Sequence, residues 1–175
     1  MRKLVLALGI LFAAGGTAMA QTSAGPWSFQ FQAGYTSQSE WLDSGLVGSV
    51  GVGYTFGDHF ALNFHAGYLE GKIRYFGAKD AILTLMVAPE FVFDFAANNQ
   101  FYAFVGVGSA YRGEKSTNIY YIPSETAFAA EVGVGYRHFF NESVGLSFQI
   151  TMTHINATGG NLDPVDARLG LAVRF

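Results

Sequence analysis

The sequence contains no cysteine. That absence excludes disulfides, thiol catalysis, Cys-ligated zinc and an N-terminal lipoprotein anchor. Charge is also scarce: 13% of the residues are Asp, Glu, Lys or Arg, against about a quarter in an ordinary soluble protein. The net charge of −3 is too small to point to nucleic acid as a partner. Beyond residue 20 no apolar run reaches 18 residues, so no transmembrane helix is expected. Proline is rare (4), whereas glycine (22), phenylalanine (17) and tyrosine (9) are abundant. The 175 residues suffice for one domain.

Residues 1–20 have the three parts of a secretory signal. Arg2 and Lys3 supply the positive start, Leu4 to Ala14 the apolar run, and Ala18-Met19-Ala20 a small-x-small cleavage site. Cleavage leaves residues 21–175 as a single domain, and losing Arg2 and Lys3 moves the net charge from −3 to −5. An exported, apolar chain without a spanning helix has one main architecture open to it, a membrane β-barrel.

The last eleven residues, Val165 to Phe175, carry the pattern most sharply. Ala167, Leu169, Leu171, Val173 and Phe175 share one face of an extended strand, and Asp166, Arg168, Gly170, Ala172 and Arg174 share the other. A soluble domain ending in such a strand would expose an aggregation-prone edge, whereas the closing strand of a barrel has both edges paired. Seven more segments alternate in the same way, near residues 27–36, 46–56, 60–69, 81–95, 101–112, 126–137 and 144–154. Pro89 interrupts the fourth, where a bulge or local unpairing is expected. The connections alternate long and short, as in a barrel with both termini and the short turns on the periplasmic side.

Aromatic residues collect at both ends of these segments. Trp27, Phe56, Phe60, Phe95, Phe101, Tyr136 and Phe175 fall near the periplasmic ends, and Tyr35, Tyr68, Tyr75, Tyr111 and Tyr120 near the external ends. Such belts mark the two membrane interfaces. The polar face is rich in Gly, Ser, Thr and Gln rather than Lys and Glu. That composition suits a crowded interior better than a water-facing surface. The expected fold is therefore all-β, an eight-stranded antiparallel up-and-down transmembrane β-barrel of the bacterial outer membrane. Its partners would be outer-membrane lipid and lipopolysaccharide.

Glu90, Asp94, Glu131, Arg137, Arg168 and Arg174 fall on the inward face. Enclosed charges require pairing. Two roles remain open for them: a structural plug tying strands together, or an ion-conducting path. His65 lies on the same face as a member of that network. The four histidines, at 59, 65, 138 and 154, have no metal-ligand spacing, and no cofactor or metal is expected.

The signal, the eight segments, the G-V-G-Y and V-G-V-G patterns (Gly51–Tyr54, Val105–Gly108, Val132–Tyr136) and the terminal aromatic resemble the outer-membrane β-barrel domain family around OmpX and the OmpA transmembrane domain. The resemblance implies that the C-terminal strand, ending in Phe175, is read by the barrel-assembly machinery. A second, local resemblance lies at Thr153-His154-Ile155-Asn156-Ala157, with Ala88–Phe95 and Ser143–Leu146. These stretches are similar to the PagL-like lipid A deacylase barrels. That family carries a His-Ser-Glu triad on its lipid-facing surface, so the resemblance makes His154 a candidate catalytic base. Asn156 stands where the family has its nucleophilic Ser, and Asn forms no acyl-enzyme. The nearest acids downstream are Asp163 and Asp166. Three functions follow: a non-enzymatic barrel for envelope integrity or surface interaction, a lipid A acyl hydrolase, or a narrow passive pore.

Overall fold

The computed structural model describes residues 25–37, 43–72, 79–96, 98–116, 121–158 and 160–175. The signal segment (1–20), Tyr75 and Tyr120 lie outside the described residues. The alternating segments become long strands: β1 (Trp27–Thr36), β2 (Gly45–Phe56), β3 (Phe60–Lys72), β4 (Lys79–Ala96) and β5 (Asn99–Arg112). After β5 a two-residue ladder joins β6 (Lys115–Ser116) to β7 (Tyr121–Ile122). The chain then continues through β8 (Glu125–Phe139), β9 (Val144–Ala157), β10 (Gly160–Leu162) and β11 (Val165–Arg174).

Each barrel strand pairs antiparallel with the next, and β11 pairs with β1, so β1, β2, β3, β4, β5, β8, β9 and β11 close into a ring of eight. The terminal strand thus holds the position its pattern predicts. β10 is the outer end of the same line as β11: both lie along β9, separated only by Asp163-Pro164. Across that break the Thr153 N–H donates to the Pro164 carbonyl at 3.0 Å. Trp27 and Phe175 exchange backbone hydrogen bonds of 3.2 and 2.9 Å, which seal the ring at the chain's end.

Stepping sideways from Gln30, the register runs through Gly51, His65, Met86, Gly108, Ala129, Ile155 and Leu162. It returns to the line of β1 ten residues further along, a shear of ten. With a rise of ~3.3 Å per residue and strands ~4.8 Å apart, this tilts the strands by roughly 40° from the barrel axis.

The bulky apolar side chains point outward. Leu85, Val105 and Leu169 are 64%, 59% and 59% exposed, while Gln32, Thr151 and Arg168 are buried inside. A water-soluble barrel would have the opposite polarity; this surface is stable against hydrocarbon. Three tight connections lie at the end that carries both termini. Gly57 opens one of them with φ 66°, a left-handed conformation that favours glycine. In another, Asn141 Oδ1 accepts the amides of Ser143 and Val144 at 2.9 and 2.8 Å. Pro89 keeps its register with Leu62 on β3, but the β4–β5 ladder omits Ala88 and Pro89. The interruption therefore falls on one side only, and a second irregularity lies between Asp94 and Ala96.

The glycine-rich repeats acquire a physical reason here. On the inner face of β8, a Cβ at Gly135 would come within 2.2 Å of the Tyr102 ring, and one at Gly133 within 2.4 Å of the Phe104 ring. The glycines make room for rings that fill the lumen. Gly135→Val should therefore lower the stability of the folded barrel by about 1–3 kcal/mol through overpacking. Gly48→Ala, where the nearest atom is 3.5 Å away, should leave it unchanged. Urea titration followed by migration of unheated samples on denaturing gels reads both. Equal midpoints for the two variants would refute this role.

Candidate functional site

The inward charges form pairs across the lumen. Arg137 on β8 meets Glu90 on β4 through two hydrogen bonds, Nη1 to Oε1 at 2.6 Å and Nη2 to Oε2 at 2.7 Å. Both residues are buried. This bidentate geometry is the strongest form of an Arg–carboxylate pair. Asn63 on β3 donates a third bond to Glu90 at 3.0 Å, and the Arg137 guanidinium lies 3.8 Å above the Tyr102 ring. Tyr102 donates to Gln149 on β9 at 3.1 Å, and Gln149 donates to Thr151 at 2.8 Å. Gln32 on β1 donates to Ser147 at 2.9 Å.

A second pair lies within β11. Arg168 binds Asp166 through Nε at 3.0 Å and Nη2 at 2.6 Å. The third joins His65 on β3 to Glu131 on β8, with Nε2 and Oε1 2.9 Å apart at charge-pair distance but without hydrogen-bond alignment. Two residues of the expected network stand apart. Asp94 is exposed at the periplasmic rim. Arg174 lies 3.5 Å from the Phe139 ring centre rather than on a carboxylate.

Above the polar layer the lumen changes character. Leu69, Ile82, Met86, Ala110, Ala127, Ala129, Ile155 and Leu162 form a buried apolar cluster toward the external end. The alternation placed Met86 and Ala129 on the inward face, whereas Ile155 and Leu162 fell in the connection expected after residue 154. At the external mouth, Arg112 Nη2 binds Glu125 Oε2 at 2.9 Å, and Glu125 also accepts the Thr158 amide. That amide, assisted by Arg112, holds the Glu125 carboxyl below its ordinary range. Among the described residues, a void of about 30 Å³ remains in the polar layer, lined by Gln32, Asn63, His65, Glu90 and Arg168. It has room for one or two waters.

His154 takes a different position. It follows Ile150 and Met152 on the outward face of β9, where its Nδ1 lies 2.6 Å from Asp163 Oδ1. A carboxylate only accepts, so Nδ1 carries the proton and Nε2 is left free to act as a base or a second acceptor. Both side chains are about half exposed, at 44% and 46%. Asn156, two residues on, is exposed on the same face. Asp166, the other acid near in sequence, points into the lumen and is engaged with Arg168. No group of three or more His, Cys, Asp or Glu among the described residues is placed to hold a metal ion.

A family model described as the outer membrane protein beta-barrel domain matches residues 4–175. No curated protein matches the chain. Among solved structures, Neisserial surface protein A superposes with a TM-score of 0.72 at 13% identity, over 88% of this chain and all (100%) of that one. The attachment invasion locus protein Ail of Yersinia pestis gives 0.58 at 11% identity, covering 87% and 99%. The outer membrane enzyme PagL gives 0.55 at 16%, covering 85% and 99%. At these identities the likeness speaks for the fold alone. With the closed ring of eight strands and the outward apolar face, the match over nearly the whole length places the protein in the bacterial outer membrane, and the chain belongs to the outer membrane protein beta-barrel domain family.

Proposed function

We propose that this is a non-enzymatic barrel whose closed, salt-bridged lumen serves as a rigid support for its external connections, which act in envelope integrity or surface interaction. One observation carries this reading: the lumen is filled twice over. The His65–Glu131 and Glu90–Arg137 pairs occupy its polar layer, and an apolar cluster occupies the space above them. An ion entering from outside would have to cross hydrocarbon and then break a buried pair. Ail, a barrel of the same fold, is named for attachment, which is in keeping with a role exercised at the outer surface.

A second reading has a specific observation behind it. His154 and Asp163 form an oriented base–acid pair on the outward face near the external membrane edge, as acyl hydrolysis on lipid A would require. Against it, the exposed side chain two residues beyond the base is Asn156, which offers no nucleophilic oxygen. Phe175 bears on biogenesis. It is exposed on the outward face, and its backbone is bound to Trp27 at the closing seam. In this position the ring would be presented to the barrel-assembly machinery before the seam closes.

Four measurements test these statements. In planar bilayers the purified protein should give no steady conductance above the bare membrane; a stable single-channel current would replace the support reading with the passive pore. Arg137→Ala strands Glu90 in the lumen and should destabilise the fold by about 3–5 kcal/mol, seen as a lower urea midpoint. Lipid A from cells carrying the assembled protein should have the same mass spectrum as lipid A from cells carrying His154→Ala. Loss of one acyl chain with the intact protein alone would establish the deacylase. Phe175→Ala should reduce the amount of heat-modifiable protein in outer membranes, and an unchanged amount would remove the assembly role.

A further inference from the structure

The outward surface is not uniformly convex. A groove of about 370 Å³ crosses β4, β5, β8 and β9 on the membrane face. Its origin is a single small residue. Ala103 sits between Phe91 on β4 and Val134 on β8, with Ile150 following on β9. The next row toward the short turns is wholly aromatic: Phe93, Phe101, Tyr136 and Phe148. Phe101 stacks on Phe95 at 4.8 Å and leans on Tyr136 at 5.5 Å, so this row stands up as a fixed ridge. Ala103 lies four residues beyond the start of β5 at Asn99, roughly 10 Å along the barrel axis at the strand's rise and tilt. The groove therefore lies in the hydrocarbon of the periplasmic leaflet.

At the foot of the ridge is a preset polar group. Tyr136 donates its hydroxyl to Asn99 Oδ1 at 2.5 Å, and His138 Nδ1 approaches the same oxygen at 2.9 Å. With both bonds on Oδ1, the Asn99 amide N–H₂ remains as a donor that can face an anion, and His138 Nε2, whose partner nitrogen carries the proton, remains as an acceptor. The His138 ring is fixed edge-on to Phe140 at 5.5 Å. Polar groups held in place in this way bind without first paying an ordering entropy.

We propose that the barrel holds one phospholipid of the periplasmic leaflet, with an acyl chain in the groove over Ala103, its phosphate at the Asn99 amide and a headgroup hydroxyl or ammonium donor at His138 Nε2. A mobile bilayer chain passing straight over the aromatic ridge would leave the floor of the groove untouched. A chain that bends into the groove gains dispersion attraction from its floor and both walls. The headgroup contacts fix which lipid end lies where. A second copy of the barrel fits less well. A stable interface needs about 800 Å² of matched surface on each partner, and protruding rings around a narrow trough do not present it.

The test uses the full-length protein extracted in mild detergent, mixed with phosphatidylglycerol at a fixed molar ratio and examined by native mass spectrometry. The wild type should retain one lipid per barrel through detergent exchange. Ala103→Phe fills the groove and should lower retention at least about tenfold. His138→Ala, together with Asn99→Ala, should lower it severalfold. Ala130→Phe, an outward alanine opposite His154, should retain lipid as the wild type does. Anomalous migration of unheated samples confirms that each variant is folded. Equal retention by Ala103→Phe and the wild type, or no retained lipid on a folded wild type, would overturn the proposal. A paired barrel that only Ala103→Phe dissociates would also overturn it, in favour of a second copy.

Discussion

Everything in this molecule depends on the pairing of its first strand with its last. Nine register pairs join Ser28–Thr36 to Asp166–Arg174, and two further bonds join Trp27 to Phe175. Without that seam, β1 and β11 would each present a row of unpaired N–H and C=O groups to hydrocarbon, at several kcal/mol apiece. With it, the backbone is satisfied around the ring and the apolar face can point outward. Closure also fixes the circumference. Eight strands at this shear leave an interior only wide enough for side chains, and the contents of the lumen follow from that limit.

The limit explains why glycines and large groups alternate inside. Tyr102 and Phe104 extend across the lumen because Gly135 and Gly133 stand opposite them. Arg137 lies on the Tyr102 ring and grips Glu90 with both terminal nitrogens. A buried pair of this kind is weak evidence for stability in itself, since hydrophobic residues of similar volume often do as well. What it supplies here is position: it ties β4 to β8, strands that are not neighbours in the ring. The Arg174 guanidinium lies over the Phe139 face, and its Nη2 is buried without a hydrogen-bond partner among the described residues.

Much of this architecture was legible in the sequence. The eight strands and their two faces follow from period-two alternation, and the placement of both termini at one end from the alternation of long and short connections. The strand ends were less legible: β3 continues to Lys72 and β4 starts at Lys79, beyond the alternating cores, because pairing propagates as long as both partners remain extended. The inward apolar cluster was also obscured. Leu69 follows Tyr68, and Ile82 precedes Leu83, so both faces look apolar there and alternation loses contrast. Asp166 was assigned to the right face but not to a partner. Its signal was the spacing to Arg168, since residues two apart on a strand share a side.

The cross-lumen partners were beyond reach for a geometric reason. In register, His65 leads through Met86 and Gly108 to Ala129, not to Glu131. The tilted strands make each sideways step climb toward the external side by roughly 3 Å, hence by about 9 Å over three steps. Glu131 lies two residues further toward the periplasmic end of β8, which lowers it by about 5 Å along the axis. The long side chains of His65 and Glu131 span the remainder. Glu90 and Arg137 obey the same rule: register leads from Glu90 through Phe104 to Gly133, and Arg137 lies four residues below. Charge pairing across the lumen is thus set by the shear, a property of the closed ring that no strand carries alone.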